Sequence, residues 1–463
     1  MALGHHTTHG KNAADFTEDA ARVESTTSVQ TMEKALVRKI DLFLLPTLWL
    51  MYLLSYIDRT NIGNAKIAGM QDDLRLSSGQ YSISLIVFFI SYVIFEVPSN
   101  LILSKSRPSI FLPAIMILWG IVTCCMAAVQ SYQQLVALRF LVGILEAGFA
   151  PGVLLILSSW YKREEQSKRF AVYISAAILS GAFGGLLAGS ITKNLEGVHG
   201  IRGWRWLFIV EGVATAGWAC VARFLLLDFP LTSKYLSEEE RHLASERLLV
   251  NEGSRASDEM RLGALQAFKR SMTDWRVWLF TAGYMVIVGS STLSYFYPTL
   301  VEGLGYKSYK AQYMTVPIFG VAFVCNGLTG YFSDKVPGKR GLIIACWLVL
   351  SLCCSVATTI VTNFQARYVL LVFMAAGLWS SNALALSFAS SSFAHMSREG
   401  RAVSLAFVNA MGNLAQIYGA YLFPSEDAPR YIMGFSVVSA MCAFGVGVYG
   451  SLHAVGRKGQ LDR

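Results

Sequence analysis

Twelve apolar stretches, each near the length that crosses the hydrocarbon layer of a membrane, constrain this chain more than any other feature. A helix of about 20 residues covers about 30 Å of hydrocarbon. Blocks of that kind lie near 42–63, 80–103, 110–130, 134–159, 170–191 and 205–227, and again near 275–298, 312–332, 340–361, 367–391, 400–423 and 429–452. Of the 463 residues, 54% are hydrophobic and 15% charged, a balance that a water-soluble fold of this size cannot keep off its surface. The sequence therefore predicts an all-α polytopic membrane protein of twelve transmembrane helices, arranged as six and six.

The stretch 228–272 is the one long polar interruption. It divides the chain into an N-terminal tail (1–41), a first six-helix bundle (42–227), a linker (228–272), a second bundle (273–452) and a short C-terminal tail (453–463). Within the linker, Ser237 followed by Glu238, Glu239 and Glu240 is a capping-box arrangement that opens an amphipathic helix through Arg241, Leu243, Leu248 and Leu249. The N-terminal tail is polar, carries no signal or transit pattern, and reads as flexible. Lys and Arg are in excess on the side that holds both tails and the linker, which makes that side cytoplasmic. The formal charge of +9 follows from this bias and calls for no nucleic-acid partner. All eight cysteines fall inside apolar blocks, without metal-ligand or disulfide spacing, and read as small packing residues.

Two halves of six spans joined by a cytoplasmic linker resemble the major facilitator superfamily, whose halves rock about a site at the membrane midplane. Between spans eight and nine, Gly330-Tyr-Phe-Ser-Asp334-Lys335-Val-Pro-Gly338-Lys339-Arg340 resembles that superfamily's loop motif. The resemblance implies that Asp334, Lys335, Lys339 and Arg340 form a charge relay latching one conformation. The equivalent loop of the first half, Ser104-Lys105-Ser106-Arg107-Pro108, keeps the bases and lacks the acid. Further motifs resemble the anion:cation symporter family, and within it the fungal allantoate permease branch, which holds carriers for nicotinate, pantothenate, biotin and other carboxylates. They are Asp58-Arg59-Thr-Asn61-Ile-Gly63-Asn64-Ala65, Pro98-Ser99-Asn100-Leu101, Arg139-Phe-Leu-Val-Gly143-Ile-Leu-Glu146-Ala147-Gly148, Gly203-Trp204-Arg205-Trp206 with Glu211-Gly212, and Ala428-Pro429-Arg430-Tyr431.

Charged side chains within spans cost roughly 3 kcal/mol each at a helix centre, so each needs a reason. The main ones are Asp58, Arg59, Glu96, Arg139, Glu146 and Glu211. Arg139 and Glu146 share a helix face but stand nearly two turns apart, about 10.5 Å, and each needs another partner. Judged by height along spans one and four, Asp58 is level with Arg139; the geometry permits these two to pair and leaves Arg59 to line the cavity. Glu146 lies near the midplane. The family resemblance implies that Arg59 binds the substrate carboxylate and that Asp58 and Glu146 take up coupling protons. A structural ion-pair lattice holding spans one and four together is the competing reading. Glu96 and Glu211 read as helix-end pairing residues, and Trp204 and Trp206 as interface anchors.

Substrate contacts are expected from Arg59, Arg139, Tyr56 and Tyr92 in the first half and from Trp379, Asn382 and Asn413 in the second, with Asn409 nearby. Span ten departs from the family's usual run of Asn-Asn with a following glycine, reading Asn382-Ala383-Leu384-Ala385, so substrate preference is expected to differ. Gly181, Gly184, Gly185 and Gly189 sit in an apolar helix without a preceding strand and mark close helix packing rather than a dinucleotide loop. No Ser/His/Asp constellation, metal cluster or phosphate loop stands in a polar segment, so no enzymatic activity, cofactor or metal is expected. The expected function is proton-coupled symport of a small organic carboxylate across the plasma membrane by a monomer. A proton-driven exporter, and a nutrient sensor that does not transport, are the alternatives.

Overall fold

The computed structural model describes residues 13–233, 235–253, 264–306, 309–393, 396 and 398–461. Among these, every regular element is helical. The first half comprises α1 (Ala13–Ala65), α2 (Ser78–Lys105), α3 (Pro108–Met126), α4 (Tyr132–Glu146), α5 (Phe149–Trp160), α6 (Arg163–Asn194) and α7 (Gly203–Leu225). Linker helices α8 (Glu238–Gly253) and α9 (Ala264–Met272) follow. The second half contains α10 (Trp275–Ser291), α11 (Tyr297–Gly303), α12 (Tyr309–Tyr313), α13 (Thr315–Lys335), α14 (Arg340–Ile360), α15 (Phe364–Ser392), α16 (Arg398–Gly419) and α17 (Ile432–Leu461).

Eleven of the described helical runs are long and apolar enough to cross a membrane. Helices α4 and α5 join into one such run, as do α10 with α11 and α12 with α13. The remaining span position falls to α16, where Asn409, Asn413 and Gln416 dilute an apolar sequence. Local chemistry sets the boundaries. Ser77 caps α2 through a capping box with Gln80, Pro108 starts α3, Asp274 accepts the Arg276 amide at 2.8 Å and Asn363 accepts the Gln365 amide at 2.9 Å.

The segment read as a flexible tail is helical from Ala13, continuous with the first span, and Leu36 and Ile40 are buried in the bundle. Linker helix α8 lies on the protein rather than apart from it. Its capping box forms, with Glu240 accepting the Ser237 amide at 2.9 Å and Ser237 accepting the Glu240 amide at 3.2 Å. Arg247, 2% exposed, bridges Glu33 at 3.1 Å and Glu165 at 2.6 Å, while Lys39 holds Glu240 at 2.8 Å. An Arg247→Ala substitution is expected to free α8 from the first half and lower the unfolding free energy by about 2 kcal/mol, read as a lower thermal midpoint in detergent. An unchanged midpoint would remove α8 from the ion-pair account.

The halves meet at the end of the bundle away from the tails. There Ser82 donates to the Ala420 carbonyl at 2.8 Å, the Ser425 amide donates to Ser78 at 3.1 Å and Gln312 donates to the Asn64 carbonyl at 3.3 Å. The glycine stripe of α6 permits this approach. Gly185 lies against the Gln312 carbonyl and Thr315, Gly181 under the Phe319 ring and Gly189 under Tyr313, so a Cβ at any of them would collide with the second half.

Candidate functional site

Adjacent residues on a helix point about 100° apart, and this separates Asp58 from Arg59. Asp58 turns toward α3 and α7, where its Oδ2 accepts from the Trp119 indole at 3.2 Å and from the Thr215 hydroxyl at 2.9 Å. Arg59 turns toward α2 and α4, where its Nε donates to Glu146 Oε1 at 2.6 Å. Ser55, one turn earlier on α1, donates to the same oxygen. The expected Asp58–Arg139 pair does not form, because height along the spans ignores which way each side chain faces. Arg139 instead donates from Nε to the Ser84 carbonyl at 3.4 Å and lies 5.0 Å from the Phe88 ring centroid.

Small residues let these helices approach. Gly143 of α4 rests on Ser91 and the Phe88 carbonyl of α2, and Gly148 rests on Ser99, so two of the sequence motifs meet along one seam. The Arg59 guanidinium is boxed by aromatic faces, 4.8 Å from the Tyr92 centroid, 5.0 Å from Tyr56 and 5.5 Å from Phe88. Glu146 is fully buried and Arg59 nearly so. Their pairing is incomplete, since among the described residues Arg59 Nη2 and Glu146 Oε2 have no partner, and Arg139 Nη1 has none either. A buried guanidinium with an unused N–H beside a carboxylate with an unused oxygen can accept both an anion and a proton.

The second half supplies the opposite wall. Tyr295 lies 5.8 Å from the Phe89 ring and donates to Gln416 Oε1 at 3.3 Å. Gln416 in turn approaches Asn413 Oδ1 at 3.5 Å, and Tyr284 donates to Asn382 Oδ1 at 3.2 Å. Trp379 sits 6.4 Å from the Phe319 ring. Tyr56, Trp379, Asn382, Asn413 and Gln416 all keep partial exposure. Tyr284, Tyr295 and Gln416 were not among the residues expected here. The spacing of Asn409, Asn413 and Gln416 on one helical face is the sequence signal that points to Gln416; the two tyrosines sit among many aromatics and carry no comparable mark.

Other charged groups settle differently from the reading by sequence. Glu211 is no helix-end pairing residue: it lies inside α7, is 1% exposed, and neither carboxylate oxygen has a partner among the described residues. Glu96, half-buried on α2, lies within electrostatic reach of Arg59. Trp204 is no interface anchor but fully buried, because its indole N–H finds Asp73 at 2.7 Å, while Trp206 donates to the Val198 carbonyl at 3.3 Å. At the tail end of the second half, Asp334 is exposed and 3.6 Å from Arg340, Lys335 lies over the Tyr331 ring, and Lys339 is exposed. Arg367 catches the carbonyls of Pro429 and Arg430 at 3.2 and 2.9 Å, fixing the motif before α17.

Comparison with known proteins agrees with this architecture. Residues 48–420 match the family model of the Major Facilitator Superfamily. The chain is 36% identical over 409 residues to the MFS transporter prlL of a fungal species, covering 86% of this chain and 81% of that protein. It is 32% identical over 397 residues to a putative tartrate transporter of Agrobacterium vitis, covering 84% and 87%. A solved bacterial homologue of the human lysosomal transporter Spinster, in an inward-facing and unoccupied conformation, superposes with a TM-score of 0.68 at 17% identity, over 90% of this chain and 97% of that one, a likeness of fold. The chain is thus an integral membrane transporter belonging to the Major Facilitator Superfamily.

Proposed function

We propose that the chain is a proton-coupled symporter that carries a small organic carboxylate across the plasma membrane as a monomer, with both tails cytoplasmic. The observation that carries this reading is the Arg59–Glu146 contact of 2.6 Å, buried in the first half with Arg59 Nη2 and Glu146 Oε2 unused. A substrate carboxylate and the Glu146 carboxylate compete for one guanidinium. Protonating Glu146 removes its charge and leaves Arg59 with a planar fork of donors for the anion, so proton and substrate bind together. Arg139 contributes a second positive charge over Phe88. Tyr56 and Tyr92 flank the guanidinium, and Trp379, Asn382 and Asn413 contact the remainder of the substrate. Asp58 is the second proton site, and Asp334, Lys335, Lys339 and Arg340 form the cytoplasmic latch. The similarity to a putative tartrate transporter supports a carboxylate as cargo. Moving an anion inward opposes the membrane potential by about 2.3 kcal/mol per charge per 100 mV, which one co-moving proton offsets and a second reverses.

Uptake of radiolabelled tartrate, nicotinate, pantothenate and allantoate into cells expressing the chain, at acid and neutral outside pH with and without a protonophore, tests the reading. Symport gives uphill accumulation at acid pH that the protonophore abolishes. Proton-stimulated efflux would indicate an exporter, and binding without flux a sensor.

A further inference from the structure

One turn beyond Asp58, toward the end of the bundle away from the tails, three helices present buried polar groups to the same level. On α1 this is Asn61, fully buried with neither amide atom partnered. On α3 it is Thr123, one turn past Trp119, 1% exposed and with its hydroxyl unpartnered. On α7 it is Glu211, one turn before Thr215, 1% exposed and with both oxygens unpartnered. Trp119 and Thr215 are the two residues that bind Asp58 Oδ2, and Asp58 Oδ1 is itself unpartnered. Helix periodicity therefore puts Asn61, Thr123 and Glu211 one turn beyond the Asp58 layer, each on a helix that contributes to that layer.

Buried polar groups rarely go unsatisfied, and a set of them on three converging helices marks a place where something is held. The charges define what. Among the described residues, the charged group that bears on Glu211 is Asp58, which is also an acid. Around the pair, α3 offers Cys124, whose Sγ lies 3.7 Å from the Ile209 carbonyl. On α6, Lys193 is committed to the Tyr309 ring, and in the segment after α1, Lys66 lies over Tyr81. On α7 itself, Arg205 donates to the Ala127 carbonyl and Arg223 to Ser109. Arg139 and Glu146 act on Asp58 from α4 with opposite signs. Neither buried carboxylate is paired with a cation among the described residues, and burying two negative charges at neighbouring levels favours a proton on one of them.

We propose that Glu211, with Asp58, Asn61 and Thr123, forms a buried proton-binding site between α1, α3 and α7, separate from the Arg59–Glu146 pair. The proton, taken from water, bonds to one carboxyl oxygen and is shared with the other acid, so the pair carries one negative charge in place of two. Once the proton is in place, the Asn61 amide and Thr123 hydroxyl, which bond to nothing else among the described residues, turn to donate to the oxygens that remain. Glu211 thereby gives Asp58 a partner with which to exchange its proton. Only that role in coupling rests on the symport reading; occupancy by a proton does not.

Infrared difference spectroscopy on the purified full chain in lipid nanodiscs at neutral pH reads occupancy without transport. The carboxylic-acid C=O stretch of a protonated, slowly deuterating carboxyl is expected in the wild type and lost in both Glu211→Gln and Asp58→Asn. Thr123→Val, which keeps the shape of the layer, is expected to shift that band without removing it, and serves should Glu211→Gln fail to fold. An identical band in wild type and Glu211→Gln, or no shift in Thr123→Val, would overturn the proposal. So would a thermal midpoint raised by sodium chloride but not by potassium chloride and lost in Glu211→Gln, which would make the layer a metal-cation site. Wild-type uptake insensitive to a protonophore would instead sink the symport reading while leaving the band in place.

Discussion

Replacing Arg59 with alanine is expected to abolish carboxylate binding and to cost stability at the same time. With Arg59 as the proposed anion clamp, the substrate would lose a charge-assisted, forked contact, a change of about 2–5 kcal/mol or roughly 30-fold and more in affinity. Glu146, fully buried, loses the cation it pairs with, and uncompensated burial of one member of a pair costs about 3–5 kcal/mol. The two losses separate in the double variant Arg59→Ala with Glu146→Gln, which is expected to recover much of the thermal midpoint and none of the binding. Arg59→Lys keeps the charge without the fork and should fall between. Binding by scintillation proximity and unfolding in the same detergent check all three. Normal affinity in Arg59→Ala would exclude the guanidinium as the anion clamp.

Glu146→Gln is expected to uncouple transport without blocking it. Glutamine keeps an oxygen to accept from Arg59 Nε and from Ser55, so the local packing survives, but the residue can no longer take or release a proton. Each pH unit of gradient supplies about 1.4 kcal/mol per coupled proton, so losing one coupling proton lowers accumulation about tenfold per pH unit. Exchange of labelled for unlabelled substrate across proteoliposomes should persist, because it needs no net proton movement. Full proton-driven accumulation in this variant would take Glu146 out of the coupling role.

Much of the fold is legible along the chain because lipid imposes a length on every crossing segment. The halves, the linker capping box at Ser237 and the tight-packing role of the Gly181–Gly189 stripe all follow from spacing alone. What spacing does not supply is direction around the helix axis relative to neighbours whose placement is unknown. Asp58 and Arg59 are adjacent in sequence yet serve different helix pairs, and pairing them by height sent Asp58 to Arg139 when Trp119 and Thr215 hold it. Glu211 shows the same limit, since only the convergence of α1, α3 and α7 reveals that it has no partner. Trp204 had the composition of an interface residue, and a single acceptor, Asp73, drew it inside. Tyr284 and Tyr295 belong to a chain with 20 tyrosines, and nothing local distinguishes a cavity tyrosine from a packing one.

Anion and proton are taken to meet at one pair of side chains, so binding of the first should draw in the second even without a membrane. Adding saturating carboxylate to the purified chain in weakly buffered detergent, with a pH indicator present, is the most direct measurement. Net proton uptake in the wild type that disappears in Glu146→Gln, with binding retained, is the predicted result. Carboxylate binding with no proton uptake in the wild type, or the same uptake in Glu146→Gln, would contradict it.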